Sequence, residues 1–445
     1  MISLPSPYCL GDARQAVAID PERFLLEVMS RASSCKRHNI FLELSTNEGV
    51  QSQLRQQLQR RARGMALPLL GIPIAVKDNI DVRGFSTTAG CPAFAYQPDA
   101  NALSVQRLID AGAIVIGKTN LDQFATGLVG VRSPYGLCRS SIDPDYVCGG
   151  SSSGSALAVA MGIVPVALGT DTAGSGRVPA AFNGIVGLKP SRGIVSTVGV
   201  VPACRSLDCV SIFSLNPTDA WDVLRLCAAF EPRDAFSRAV PQGWGGCSAR
   251  NGFRFGSPSG LEFFGNDAYQ NAFGDAENRL TSIGGTAVEV PIDDFIQAGQ
   301  LLYDGPWVAE RYSAVGKFIE SHTDSVHPVV REIVLGGKVP AAHQLFDAQY
   351  LLTELLRKTA YVWDLVDVLA MPTTGTIYRV DEVLTDPLIT NRNLGRYTNF
   401  VNLLDLAGIA IPVSHSSAGA PFGITLLGPA FSEAKLVDIA ERFIQ

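Results

Sequence analysis

From about residue 71 to residue 215 the chain is dense in glycine, serine, threonine and small apolar residues, and within that stretch short β-like runs alternate with runs of helical spacing. Residues 113–116, Ala-Ile-Val-Ile, read as a buried strand. Just before them, Ala102, Val105, Leu108 and Ile109 recur at the helical period. Residues 155–161 read as a small-residue helix, and residues 163–168 as a strand with Pro165 at its edge or end. Such alternation predicts an α/β fold in which a mixed central β-sheet is layered between α-helices.

The flanks extend this pattern. Residues 11–64 predict two or three amphipathic helices, and residues 216–300 a more peripheral α/β section containing a polar, glycine-rich surface loop at 243–252. Residues 341–367 predict a long helix, 368–371 and 409–413 strands, and 432–444 a closing helix. No linker divides the chain, so residues 1–445 are expected to form a single domain: N-terminal helices over 1–64, a core over 65–215, and the remainder of the same unit over 216–445. A composition of 47% hydrophobic and 18% charged residues supplies a core of that size.

Charge and cysteine usage exclude several classes. The net charge of −6 provides no basic surface for nucleic acid, and the arginines within 55–63 are interleaved with glutamine, as on a solvated helix face. The nine cysteines contain no C-x-x-C pair, so neither zinc nor a disulfide framework is expected, and the thiols are read as reduced. No metal, no cofactor and no dinucleotide fingerprint is expected. The N-terminus lacks a basic region followed by an apolar one, and no run of about 20 apolar residues occurs. The expectation is a cytoplasmic protein with no membrane partner.

Three pieces of the central region exceed what packing requires. In the first, Gly71-Ile72-Pro73-Ile74-Ala75-Val76-Lys77-Asp78-Asn79, a lysine closes an apolar run. It is either a surface lysine at a strand end or a base whose pKa burial has lowered. The second, Gly149-Gly150-Ser151-Ser152-Ser153-Gly154-Ser155, lacks the Gly-Lys-Ser/Thr of a phosphate loop, and apolar elements flank it too closely for a linker. A floor of small hydroxyls in an active site fits it better. The third runs Gly169-Thr170-Asp171-Thr172-Ala173-Gly174-Ser175-Gly176-Arg177. Glycines on both sides of Ser175 allow a sharp turn that exposes its hydroxyl and aims successive N–H groups into one concavity. Ala173 stands where a G-x-S-x-G elbow needs glycine. None of the histidines (His38, His322, His327, His343 and His415) lies nearby. On residues alone, Ser–Lys and Ser–His chemistries both stay open.

In this order the three pieces resemble the amidase signature family, densely over about residues 60–215 and more loosely elsewhere. The resemblance implies Ser175 as nucleophile, Ser151 as a bridging serine behind a cis peptide after Gly150, and Lys77 as a neutral general base. It implies an oxyanion hole from the N–H groups of Thr172, Ala173, Gly174 and Ser175, with Ser152 in support and Asp171 and Arg177 bracing the turn. It also makes a homodimer the expected assembly.

Within that family the chain is similar to the amidase domain of allophanate hydrolases, on residues 117–127, 206–211, 303–311 and 399–403. Tyr303 and Arg311, a little over two helical turns apart, would face one side of a helix and bind the carboxylate of allophanate, a small acylurea. Gly127 would let backbone approach the ligand. The implied reaction is hydrolysis of the terminal amide to ammonia and N-carboxycarbamate, which breaks down to carbon dioxide and ammonia. The additional C-terminal domain of many allophanate hydrolases is expected to be absent. Alternatives are a hydrolase of biuret, carboxybiuret or aryl or aliphatic amides, the amidase component of a tRNA-dependent amidotransferase, and a catalytically dead binding protein.

Overall fold

The computed structural model describes residues 6–246, 252–413 and 420–445. Eleven strands form one sheet: β1 (Phe41–Leu44), β2 (Pro73–Lys77), β3 (Ile114–Thr119), β4 (Val166–Asp171), β5 (Val186–Lys189), β6 (Cys209–Ser214), β7 (Phe253–Ser259), β8 (Gly285–Pro291), β9 (Val368–Pro372), β10 (Leu406–Pro412) and β11 (Gly423–Pro429). Their spatial order is β1-β3-β2-β4-β6-β5-β10-β11-β9-β7-β8. Pairing is parallel within β3-β2-β4 and within β9-β7-β8, and antiparallel at the other junctions. The sheet is thus mixed, as expected.

Burial follows position. β2, β3, β4, β5 and β6 are buried along their whole length, which is why they read as unbroken apolar or small-residue runs. The edge strands β1 and β8 are only partly covered. Helix Ser153–Ala160 lies against β4 and β2, and helix Arg177–Phe182 against β5 and β10. Closeness there depends on glycine: a Cβ on Gly187 of β5 would stand 2.5 Å from the Gly176 carbonyl oxygen and 2.6 Å from Ala180 Cβ.

Several boundaries differ from expectation. Three helices occupy the N-terminal region (Leu10–Ile19, Pro21–Ser34 and Asn47–Ala62), with the short strand β1 between the last two. That strand has only four residues and no alternating pattern to reveal it. β4 starts at Val166, after Pro165, which has no N–H to give a ladder. The long helix breaks at Tyr361 into Ala342–Ala360 and Val362–Leu365. The predicted loop at 243–252 and His415 lie partly or wholly outside the described residues. Among the described residues no helix is long and apolar enough to cross a membrane.

Replacing Gly187 by alanine forces backbone or Ala180 to move. A loss of about 1–3 kcal/mol is expected, seen as a lower denaturant midpoint at unchanged slope.

Candidate active site

Because β2 and β4 are parallel neighbours, their carboxyl ends lie together, and Lys77 and Asp171 are their last residues. Lys77 is fully buried. Its Nζ lies 2.7 Å from Ser151 Oγ and 2.7 Å from Thr170 Oγ1. Burial lowers its pKa to about 7, against the opposing pull of Asp122, Asp208 and Asp171. Neutral, the amine has a lone pair within reach of the Ser151 proton. The adjacent Asp78 turns away, to an ion pair with buried Lys118 at 3.3 Å.

The serine run is stitched to its neighbours. The Gly150–Ser151 peptide is cis. The Ser151 carbonyl accepts from Asp122 N at 3.1 Å. Ser152 Oγ donates to the Thr170 carbonyl at 3.0 Å and accepts from Thr170 N at 3.2 Å. A Cβ on Gly150 would come to 2.1 Å from Asp122 Oδ2, so the loop can pass only as glycine. Asp122 in turn gathers the N–H groups of Val129, Gly130 and Arg132 at 3.1, 3.0 and 2.9 Å. Sequence reasoning gave Asp122 no role; its only signal was its place in the stretch 117–127.

After β4 the chain turns around the Asp171 carboxylate, which accepts from Gly174 N, Gly176 N and Arg177 N at 2.9, 3.1 and 3.3 Å. The Arg177 guanidinium meets it with two bonds of 2.9 Å. Both side chains are fully buried. Burial by itself would raise the Asp171 carboxyl; Arg177, aided by Lys189 and the Gly176 N–H, holds it below the usual range. Gly174 has φ +130°, and a Cβ there would strike Thr398 Oγ1 at 2.4 Å.

Two features of this geometry bear on the implied roles. The Gly174 N–H is committed to Asp171, so it is not a free donor. Among the described residues the N–H groups of Thr172, Ala173 and Ser175 have no protein partner. Nor does Ser175 Oγ hydrogen-bond to Ser151; the two segments meet through Ser152 N and the Ser175 carbonyl at 3.4 Å. No described histidine hydrogen-bonds to either serine. Thr172 Oγ1 donates at 2.5 Å to buried Asp208, which also accepts from Ala203 N and Cys204 N. Asp208 was missed as a site residue.

Arg311 and Tyr303 do meet, but not on one helix. Gly305-Pro306 interrupts the chain between them, and the helix runs Val308–Ser321. Arg311, 1% exposed, donates to Tyr303 Oη at 3.0 Å and to Thr126 Oγ1 at 3.1 Å. Glu310 accepts from Ser206 N and Oγ, both at 2.7 Å. The segment 203–208 therefore ties the Arg311 helix to Thr172 in the serine turn. Gly127 is packed against Asp122 and Arg132, where a Cβ would come to 2.7 Å from Asp122 Oδ2. Tyr303, Arg132, Arg396 and Asn399 wall a cavity of about 470 Å³; Lys77, Ser151 and Ser175 do not line it. Lys77 and the serine turn thus lie at the carboxyl ends of β2 and β4 and not on the wall of this cavity.

The family model described as Amidase matches residues 23–437. Urea amidolyase of Saccharomyces cerevisiae is 43% identical over 426 residues, 95% of this chain but 23% of that protein. The chain therefore spans about a quarter of the length of such relatives. The solved structure of Kluyveromyces lactis allophanate hydrolase superimposes with a TM-score of 0.94 at 39% identity, covering 99% of this chain and 72% of that one. A glutamyl-tRNA(Gln) amidotransferase chain of Cupriavidus necator is 31% identical over 98% of this chain and 95% of that one.

Removing the guanidinium with Arg177→Ala leaves Asp171 buried and unpaired, at an expected cost of about 3–5 kcal/mol at neutral pH. The pair's stabilisation is present above the unfolded carboxylate pKa and fades as pH falls through the lower folded one. Urea unfolding of both proteins from pH 7 down to pH 3 is therefore expected to show the gap narrowing in acid.

Proposed function

The chain belongs to the amidase family, and we propose that it hydrolyses allophanate with Ser175 as nucleophile, Ser151 as proton bridge and Lys77 as base. The observation that carries the substrate is Arg311. It is a buried guanidinium bonded to Tyr303, with Nε unpartnered and no carboxylate on it among the described residues. A small amide bearing a carboxylate supplies the missing partner. The likeness to a urea amidolyase and to an allophanate hydrolase supports the same substrate.

In this mechanism Ser175 Oγ turns toward Ser151 and attacks the terminal carbonyl. Its proton passes through Ser151 Oγ to neutral Lys77, across the 2.7 Å contact. The tetrahedral oxyanion is met by the N–H groups of Thr172, Ala173 and Ser175, pre-aimed by the Asp171 turn. The proton returns to the leaving ammonia. Water then clears the acyl-enzyme, releasing N-carboxycarbamate, which decomposes to carbon dioxide and a second ammonia. We further infer a cytoplasmic homodimer and a single amidase unit over 1–445, the assembly and organisation that the resemblance implies.

A second reading, a component of an amidotransferase, draws on the near full-length 31% similarity. Its amide donor, glutamine, also carries a carboxylate that Arg311 could take, so ammonia release from glutamine and not from allophanate would favour this reading.

The substrate test is ammonia release from allophanate, biuret, urea and an aryl amide. Allophanate alone is expected to react, Ser175→Ala to be inactive, and Arg311→Ala to lose about two orders of magnitude in kcat/KM. Turnover of aryl amides with Arg311→Ala unchanged would sink the allophanate reading while sparing the serine chemistry. For the base, protonated Lys77 cannot accept a proton. Its pKa of about 7 predicts a kcat/KM that falls about tenfold per pH unit on the acid side. A pH-independent profile from pH 5 to 8 would remove Lys77 from that role.

A further inference from the structure

Arg132 and Arg311 are both 1% exposed, and both are anchored on Thr126. Arg132 Nη1 donates to the Thr126 carbonyl at 3.1 Å, and Arg311 Nη1 to the Thr126 hydroxyl at 3.1 Å. The second amino group of Arg132 reaches the Pro387 carbonyl at 2.6 Å. Neither guanidinium bonds a carboxylate among the described residues, and the remaining residues include no Asp or Glu. The Nε of each is buried without a partner.

The nearby acids are engaged elsewhere. Asp122 holds backbone N–H groups at 129, 130 and 132; Asp208 holds Thr172, Ala203 and Cys204; Glu310 holds Ser206. Two backbone carbonyls need only a neutral amide as donor. Burying a full cation to serve them costs several kcal/mol of desolvation that an amide would avoid. Asp122 offsets the Arg132 charge from a distance without bonding it, and Arg311 opposes it, so the pair carries an excess of positive charge that favours an anion.

We propose that Arg132 is a second specificity determinant of this site, a buried cation that works with Arg311 to select a carboxylate-bearing amide over its neutral isostere. The inference rests on the carboxylate reading given above and adds a residue that none of the sequence motifs assigned. Arg132 and Tyr303, the hydroxyl that Arg311 holds, also wall the same cavity.

The test measures binding by calorimetry in the Ser175→Ala protein, which holds ligand without turning it over. The probes are malonamate, in which a methylene replaces the central N–H of allophanate, and malonamide, its neutral counterpart. Arg132→Gln is expected to weaken malonamate by about tenfold or more and to leave malonamide unchanged. Arg132→Lys keeps the charge but cannot span both carbonyls; it is expected to retain the preference for malonamate. Equal weakening of both probes by Arg132→Gln, which leaves the preference unchanged, would make Arg132 a brace and overturn the proposal, as would loss of the preference in Arg132→Lys. If the protein with Arg132 intact binds malonamate no better than malonamide, the carboxylate reading itself fails, and this proposal with it.

Discussion

The buried pair between Asp171 and Arg177 is the interaction on which the rest of the site depends. A single carboxylate at the end of β4 collects three backbone N–H groups and one guanidinium, all without solvent. An unpaired carboxylate there would be intolerable, so the turn has little choice of shape. Because Asp171 takes up Gly174 N and Gly176 N, the N–H groups between and before them are left pointing elsewhere. The free donors of Thr172, Ala173 and Ser175 are a by-product of where the charge is neutralised. The turn is then clamped from outside by Thr398 against Gly174 and by Asn402, whose amide donates to the Asp171 carbonyl at 2.7 Å.

Three buried lysines show how differently one side chain can be accommodated. Lys118 keeps an acid beside it, Asp78 at 3.3 Å. Lys189 gives its amine to the Pro190 carbonyl at 2.7 Å and, being buried, has its pKa lowered. Among the described residues Lys77 has only hydroxyl partners, and burial brings its pKa to about 7. The absence of a carboxylate in contact with Lys77 is what makes it available near neutrality. The acids that would raise its pKa lie further off and are spent on backbone groups or on Arg177.

Much of this was legible in the chain. The alternation around 102–116 and 155–168 placed a helix before a strand and a strand before a turn, because burial on both faces leaves a strong apolar signal. The apolar run that ends at Lys77 and the two glycine-rich, serine-bearing motifs after it located Lys77, Ser151 and Ser175. What stayed hidden was of two kinds. Short edge elements such as β1 carry too few residues to show a period. Contacts made across long separations, Arg311 to Thr126 or Thr172 to Asp208, leave no local mark, since any Arg or Asp reads as a surface charge until its neighbours are known. The Tyr303–Arg311 pairing was anticipated on the wrong scaffold: Pro306 prevents the continuous helix, and the two meet because the loop folds back.

The order of strands has a consequence for how the protein is made. β10 lies in the middle of the sheet between β5 and β11, yet its residues 406–412 are synthesised long after β5. Until they emerge from the ribosome, β5 has an unfilled edge, and Thr398 and Asn402 are not there to close over the serine turn. A nascent chain that already contains Lys77, Ser151 and Ser175 is therefore an open, adhesive half-sheet rather than a finished fold. The turn that carries Ser175 is closed over only as the segment leading into the strand that seals the core docks, so an open turn and an exposed edge end together.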